Sequence, residues 1–267
     1  MKPQLVATLG GALVLTLLYS LTGIVLGPPP GPEAPLDVLP WLLLSNLLIA
    51  GVLAWLARAS VWTGWRLAAA LFAVAWGIGT FNGLVEAHFF SFFDRPGEMR
   101  AILLLLLVPA LLFAPVMAWL SGRWRHPADV PALPPAHGSA GWIARFAACA
   151  IAYLVLYFTA GTIIYPYVQQ FYDGRLMPSA LALVLLQLCV RGPIFVALGL
   201  LIVRMAPAAK RRHAIMVGLA MSVLGGAAPL IVPNPYFPDA VRWVHFVETV
   251  TSNLAFGAIV GWLLGGT

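Results

Sequence analysis

The chain has 267 residues, of which 61% are hydrophobic and only 9% are charged, and its mean hydropathy is +0.93. A soluble domain of this size could not shield so much apolar surface from water, so the composition excludes a soluble protein. It predicts an integral membrane protein that crosses the lipid bilayer several times. The net charge of +6 does not indicate nucleic acid binding, because the basic residues stand in short loops beside apolar runs, where they determine topology.

The chain contains eight apolar runs of about 20 residues, the length needed to cross roughly 30 Å of hydrocarbon. Short loops rich in proline and glycine separate these runs. The sequence therefore predicts an all-α fold of eight transmembrane helices. The runs lie near 5–27, 38–57, 67–92, 101–121, 143–165, 177–203, 214–232 and 243–264.

The charges of successive loops predict the orientation of the helices. The N-terminus and the even-numbered loops hold ten basic residues against one acid, whereas the odd-numbered loops hold four basic residues and six acids. Because basic loops stay in the cytoplasm, both termini are predicted to be cytoplasmic. Arginine outnumbers lysine, and Ala, Gly and Pro are abundant, which is typical of GC-rich bacteria and indicates a bacterial inner (plasma) membrane. The ten basic residues are Lys2, Arg58, Arg66, Arg123, Arg125, Arg145, Arg204, Lys210, Arg211 and Arg212.

The two halves of the sequence match weakly when one is slid over the other. A shift of 138 positions pairs Tyr19 with Tyr157 and Gly23 with Gly161, and a shift of about 145 brings Gly79 near Gly225. This pattern predicts two four-helix halves in parallel orientation, a repeat known from transporter folds. The halves are residues 1–125 and 142–267, and a Pro- and Gly-rich cytoplasmic linker, 126–141, joins them.

Apart from Arg145 at the cytoplasmic start of the fifth run, only three formally charged side chains lie inside the predicted helices: Glu86, Arg191 and Glu248. Ionisable groups are costly in a bilayer and usually face a protein interior or a water-filled cavity, so each indicates a functional site. Glu86 lies near the outer end of the third helix, Glu248 lies in the first turns of the eighth, and Arg191 lies near the middle of the sixth. We therefore predict one polar site that opens toward the outside of the membrane.

Helical spacing adds further polar residues to this site. Asn82 shares a face with Glu86, Gln187 shares a face with Arg191, and His245 lies three residues before Glu248. The predicted substrate-binding residues are Arg191, Glu86, Glu248, Asn82 and Gln187. Gly192 and Pro193 directly follow Arg191, which predicts a break in the sixth helix beside the charge. "NPYFPD" at 234–239 predicts a tight outer turn that could cover the site as a lid.

The chemistry of the site stays open at this stage, because two carboxylates accompany a single arginine. One interpretation is structural: Arg191 pairs with one carboxylate and fixes helix packing. A second is a proton-linked, transporter-like protein that binds a small anionic or zwitterionic solute, with His245 and Glu248 exchanging protons. A third is a non-catalytic subunit that assembles with a membrane-protein partner. The sequence names no substrate.

A metal- or haem-dependent membrane enzyme is the remaining interpretation. His245, Glu248 and His88 could supply three ligands to a divalent metal and leave an open position for water. The same two histidines could also ligate haem. His88 follows Glu86 by two residues, so the two side chains point about 200° apart on a regular helix, and only one of them can join a given site unless the helix unwinds there. Whether the protein is an enzyme is not decided by these residues.

Overall fold

The protein is an all-helical bundle in the computed structural model, which describes residues 2–26, 35–93, 97–125, 139–175 and 177–265. No strand occurs in these ranges. All eight long helices are long and apolar enough to cross a membrane, which confirms the predicted multi-pass membrane fold. Residues 126–138 of the predicted linker lie outside the described ranges. The helices are α1 Lys2–Leu26, α2 Pro35–Ala59, α3 Gly64–Phe89, α4 Glu98–Leu120, α5 Ser139–Tyr172, α6 Ala180–Met205, α7 Lys210–Ile231 and α8 Asp239–Leu264.

Local chemistry explains where several helices begin. Before α4, Gly97 has a φ of +83°, a conformation that glycine adopts without strain. The Ser179 hydroxyl accepts a hydrogen bond of 3.2 Å from the N–H of Ala182 and so caps the start of α6. Loop composition and capping together therefore set the helix boundaries.

The eight helices pack as two groups of four. In the first group α1 packs against α2 and α4, and α3 packs against α4. In the second group α5 packs against α6 and α8, and α7 packs against α8. The two groups meet where α2 and α3 contact α6 and α7.

Three of the helices contain a π-helical turn: Gly77–Phe81 in α3, Leu186–Arg191 in α6 and Val223–Ala227 in α7. In α6 the N–H of Gly192 donates to the carbonyl of Gln187, five residues earlier. The predicted break therefore takes the form of a π turn that ends at Arg191. Such turns often mark functional sites.

The π turns of α3 and α7 approach each other closely between the two helix groups. A Cβ atom on Gly79 would lie 3.0 Å from the carbonyl oxygen of Leu224, and one on Gly225 would lie 3.4 Å from the carbonyl oxygen of Ile78. Glycine at both positions lets these backbones come together.

One end of the bundle, which we call the basic end, is tied together by its loops. The N–H of Val61 donates to the carbonyl of Met205 at 2.8 Å, and the N–H of Gly64 donates to the carbonyl of Arg123 at 3.0 Å. The Arg123 guanidinium also donates to the carbonyl of Ser60. Buried side chains close the bundle above these loops; they include Leu67, Leu71, Met117, Met205 and Met216. The bundle is thus packed shut at the basic end.

Aromatic side chains connect the loops at the opposite end, which we call the cavity end. The ring of Phe237, in the α7–α8 loop, lies 5.3 Å from the ring of Phe92 and 5.6 Å from that of Phe171. The Tyr236 hydroxyl donates to the Glu98 carboxylate at 3.1 Å. These contacts link the loops while leaving an opening beside them.

Candidate functional site: a polar wall in a membrane cavity

A cavity of about 1540 Å³ enters the bundle from the cavity end, and residues from all eight helices line it. Its deepest residues include Leu15, Phe113 and Phe256, which lie near or beyond the midpoints of their helices. The volume exceeds the roughly 300–1,000 Å³ of ordinary small-ligand pockets. The cavity therefore reaches the middle of the helix bundle from one end.

Arg191 is the centre of the first polar cluster on the cavity wall. Its Nη1 lies 2.7 Å from Oε1 of Glu86 and donates to Oε1 of Gln187 at 3.0 Å. The Arg191 side chain is 7% exposed, whereas that of Glu86 is 30% exposed and borders the cavity. A buried cation is thus neutralised by a carboxylate that stays in reach of water.

Arg191 and Asn82 also bind each other's backbone. Nε of Arg191 donates to the carbonyl of Asn82 at 3.1 Å, and Nδ2 of Asn82 donates to the carbonyl of Arg191 at 3.2 Å. Asn82 directly follows the π turn of α3, and Arg191 ends the π turn of α6. This reciprocal pair locks α3 to α6 and leaves Arg191 engaged with protein groups, so the geometry lends no support to an anionic solute on its guanidinium.

The second cluster joins α8 to α5. Nδ1 of His245 lies 3.0 Å from Oε2 of Glu248, and the Tyr172 hydroxyl lies 3.0 Å from Nε2 of His245. A neutral imidazole satisfies both contacts if Nδ1–H donates to Glu248 and Nε2 accepts from Tyr172. Both side chains are largely buried, at 16% and 14% exposed, and both line the cavity. Glu248 has no Arg or Lys partner among the described residues.

The segment Asn234–Asp239 forms the predicted turn and covers His245. Oδ1 of Asn234 accepts hydrogen bonds of 3.1 Å from the N–H groups of Tyr236 and Phe237. This turn places the Phe237 ring 5.2 Å from the imidazole of His245. Phe237 therefore limits access to the second cluster from the cavity end.

Replacing Phe237 by alanine is expected to increase the rate at which diethyl pyrocarbonate modifies His245 several-fold, because the covering ring is lost. Peptide mass spectrometry of the purified protein would measure this rate, with the exposed His88 as internal reference. Tyr167→Ala is the matched control, because Tyr167 is an aromatic residue of α5 that is exposed and does not line the cavity. An unchanged His245 rate in Phe237→Ala would show that Phe237 does not cover the imidazole.

The structure brings most of the predicted site residues together. The cavity is lined by Glu86, Arg191, His245 and Glu248. Asn82 and Gln187 form hydrogen bonds with Arg191 but do not line the cavity. Residues of α8 that follow Glu248 also line the cavity.

His88 does not join the site. It is exposed and does not line the cavity, in keeping with its two-residue offset from Glu86. Among the described residues no group of three His, Cys, Asp or Glu side chains could hold a metal ion. The arrangement therefore gives no support to a metal or haem held by His245, Glu248 and His88.

Two features of the site were missed at the sequence level. Three tyrosines of α5, Tyr153, Tyr157 and Tyr172, line the cavity, and the Arg191 guanidinium lies 5.8 Å from the ring centres of the first two. Their signal was the four-residue spacing of Tyr153 and Tyr157, which places both on one helical face. The second missed feature is Asn46. A polar amide inside an otherwise apolar run was the sequence signal that could have indicated it.

Asn46 is fully buried and also lines the cavity. Its Nδ2 donates to the Thr16 hydroxyl at 2.9 Å, and that hydroxyl donates to the carbonyl of Ala12. These two bonds fix the amide orientation and leave Oδ1 of Asn46 without a hydrogen-bond partner. A buried unpaired acceptor is costly, so it favours a ligand or water that supplies a donor or a positive charge.

Comparisons with protein-family models, curated proteins and solved structures give no match. The function is therefore inferred from the chain's own residues and their geometry.

Proposed function

We propose that this chain is a proton-linked, transporter-like protein that binds a small solute in the cavity and exchanges a proton at His245 and Glu248. The observation that carries this proposal is the surplus carboxylate. Arg191 neutralises Glu86, and Glu248 remains with a titratable histidine as its hydrogen-bond partner inside a solute-sized cavity. Ionisable pairs of this kind mark proton and solute pathways in membranes.

The proposed orientation places the cavity end outside the cell. Described basic residues concentrate toward the basic end, and the carboxylates Asp37, Glu98, Asp173 and Asp239 lie toward the cavity end. The positive-inside rule then assigns the basic end and both termini to the cytoplasm of a bacterial inner membrane. The cavity is open outward in this state, and the packed basic end closes the inner half. The basic residues are Arg58, Arg66, Arg123, Arg125, Arg204, Lys210, Arg211 and Arg212.

We also propose that the two helix groups are a parallel repeat. Their packing supports this, because α1 with α2 and α4 corresponds to α5 with α6 and α8. The π turns of α3 and α7 start at Gly77 and Val223, 146 positions apart, which agrees with the spacing that relates Gly79 to Gly225. In repeat-built transporters the solute site lies between the halves, and the halves move against each other.

His245 and Glu248 in α8 would couple protonation of this pair to binding of the solute. With His245 neutral, Glu248 adds one uncompensated negative charge to the cavity wall. With a proton on the pair, the wall is neutral. Solute affinity must then depend on pH, and the solute must in turn change proton affinity by the same factor.

The first test is the pH dependence of thermal unfolding for the purified wild type and for Glu248→Gln. A group whose proton affinity differs between the folded and unfolded states makes the free energy of unfolding depend on pH. We expect the two melting-temperature profiles to differ in shape, because only the wild type carries the Glu248 carboxylate. Asp37→Asn, which removes an exposed carboxylate of α2 that does not line the cavity, should keep the wild-type profile. Parallel profiles for Glu248→Gln and wild type would overturn the proposal.

A further inference from the structure

We infer that the solute is an apolar organic monocation, such as a protonated amine with a bulky hydrocarbon body, and that it exchanges for the proton held by His245 and Glu248. This inference rests on the proposed function and names the solute class for the same site. Three observations carry it: the charge balance of the cavity, the apolar and aromatic character of its walls, and the unpaired oxygen of Asn46.

The charge balance of the cavity favours a cation. Among the described residues, α3 contributes Glu86 and α6 contributes Arg191, and these two pair with each other. The cavity-lining residues of α1, α2, α4 and α7 include no Asp, Glu, Lys, Arg or His, and α5 contributes uncharged tyrosines such as Tyr172. Glu248 is therefore the one carboxylate of the inner cavity that lacks a fixed cation. One proton or one monovalent cation would neutralise it.

Charged groups at the rim of the cavity are also engaged with protein partners. Arg242 lies 2.7 Å from Asp239, and Glu98 accepts from Tyr236. The Arg175 guanidinium lies 4.2 Å from the ring centre of Phe171, and its Nε donates to the carbonyl of the same residue. At the rim, Arg242 and Asp239 therefore neutralise each other, while Glu98 and Arg175 are held by uncharged protein groups.

The walls of the cavity favour an apolar body on the cation. Most of the cavity-lining residues of α1, α2 and α4 have hydrocarbon side chains. A small hydrophilic ion would leave this apolar surface in contact with water. A hydrocarbon group would bury it, and the burial would favour binding by about 25 cal/mol per Å² of apolar surface removed from water. Representative residues are Leu15, Ile24, Leu42, Ile49, Leu106 and Phe113.

Aromatic rings and Asn46 provide further attraction for a positive charge. Tyr157, Tyr172 and Phe237 line the cavity around Glu86 and His245, and the faces of such rings attract organic cations. Tyr157 already lies near one cation, the Arg191 guanidinium. The Oδ1 of Asn46, which has no hydrogen-bond partner, adds a negative dipole end next to the cavity.

The test compares two ions of the same shape and opposite charge, tetraphenylphosphonium and tetraphenylborate. Binding of each to the wild type in lipid nanodiscs would be measured by equilibrium dialysis, with empty nanodiscs to subtract partitioning into lipid. We expect saturable binding of tetraphenylphosphonium that weakens as the pH is lowered, and no saturable binding of tetraphenylborate. In weakly buffered solution, at a pH where the pair holds a proton, each bound phosphonium should release up to about one proton from the wild type.

Glu248→Gln should bind tetraphenylphosphonium at least about tenfold more weakly, which corresponds to about 1.4 kcal/mol. Asp37→Asn should bind it as the wild type does. Equal or tighter binding of tetraphenylborate by the wild type would overturn the inference, and this comparison does not require any variant to fold. Unchanged phosphonium binding by Glu248→Gln would also overturn it.

The two proposals fail in different ways. If Glu248→Gln alters the pH profile of unfolding but the wild type does not prefer the phosphonium, the solute class is wrong and the proton-linked site stands. If the pH profiles of wild type and Glu248→Gln coincide, the proposed function itself fails.

Discussion

Replacing Glu86 by methionine is expected to lower the free energy of unfolding by about 3–5 kcal/mol, the cost of leaving a buried charge without its partner. The Arg191 side chain is only 7% exposed, and an arginine cannot escape the cost by losing its proton. Its remaining partners, Gln187 and the carbonyl of Asn82, are uncharged. The loss would be measured by thermal or denaturant unfolding of the purified variant in detergent.

Arg191→Met should cost less than Glu86→Met, although it removes more hydrogen bonds. The carboxylate left behind is 30% exposed in the cavity, so it can be hydrated or can take a proton. The double variant Glu86→Met/Arg191→Met should recover most of the loss, because replacing a buried ion pair by apolar groups is often nearly neutral. A double variant as unstable as Glu86→Met alone would contradict this account.

A second ion pair provides a matched control. Arg242 and Asp239 also lie 2.7 Å apart, but the Asp239 side chain is 71% exposed. The Arg242 side chain is only 3% exposed, but it keeps hydrogen bonds to the carbonyls of Leu230 and Ile231. Asp239→Asn should therefore cost less than Glu86→Met, because the carboxylate that it removes lies mostly in water. Equal losses for the two variants would show that the exposure of the carboxylate does not determine the cost.

The number and approximate position of the helices were predictable because apolar runs of membrane-crossing length dominate the sequence. Helix ends were less predictable. The fifth run was placed at 143–165, but α5 extends over Ser139–Tyr172. Its last turns carry Gln169 and Gln170, which do not belong to an apolar run although they are helical. Hydropathy locates the apolar part of a helix and does not detect a polar extension.

That extension explains why Tyr172 was missed. It lies beyond the predicted fifth span, yet its hydroxyl contacts His245 on α8. The choice of Glu86 as the partner of Arg191 could not be predicted either, since it depends on the register between α3 and α6. That register follows from the π turns next to Asn82 and Arg191 and from the reciprocal hydrogen bonds between these two residues. A single sequence shows which residues are costly to bury, but not how neighbouring helices align.

The seam between α7 and α8 fixes the rotation of α8 and therefore the direction in which His245 and Glu248 point. Gly257 packs directly on the backbone of α7: a Cβ atom there would lie 2.6 Å from the carbonyl oxygen of Val217 and 2.8 Å from Cα of Gly218. Gly261, one turn later, meets the backbone of His213 in the same way. Small residues at a spacing of four let two membrane helices approach closely. Any added side chain must separate α7 from α8, since backbone atoms cannot move aside.

Gly261→Ala is therefore expected to lower the free energy of unfolding by about 1–3 kcal/mol or more, the usual cost of overpacking a tight interface. Gly161→Ala in α5 makes the same chemical change where no atom lies within 4 Å of the added Cβ. That control should be neutral or should raise stability by up to about 1 kcal/mol, because alanine is the better helix former. Thermal unfolding of both variants would decide the matter, and equal effects would contradict the close seam. Because the seam orients α8, Gly261→Ala should also disturb the pH profile that depends on Glu248, whereas Gly161→Ala should leave that profile unchanged.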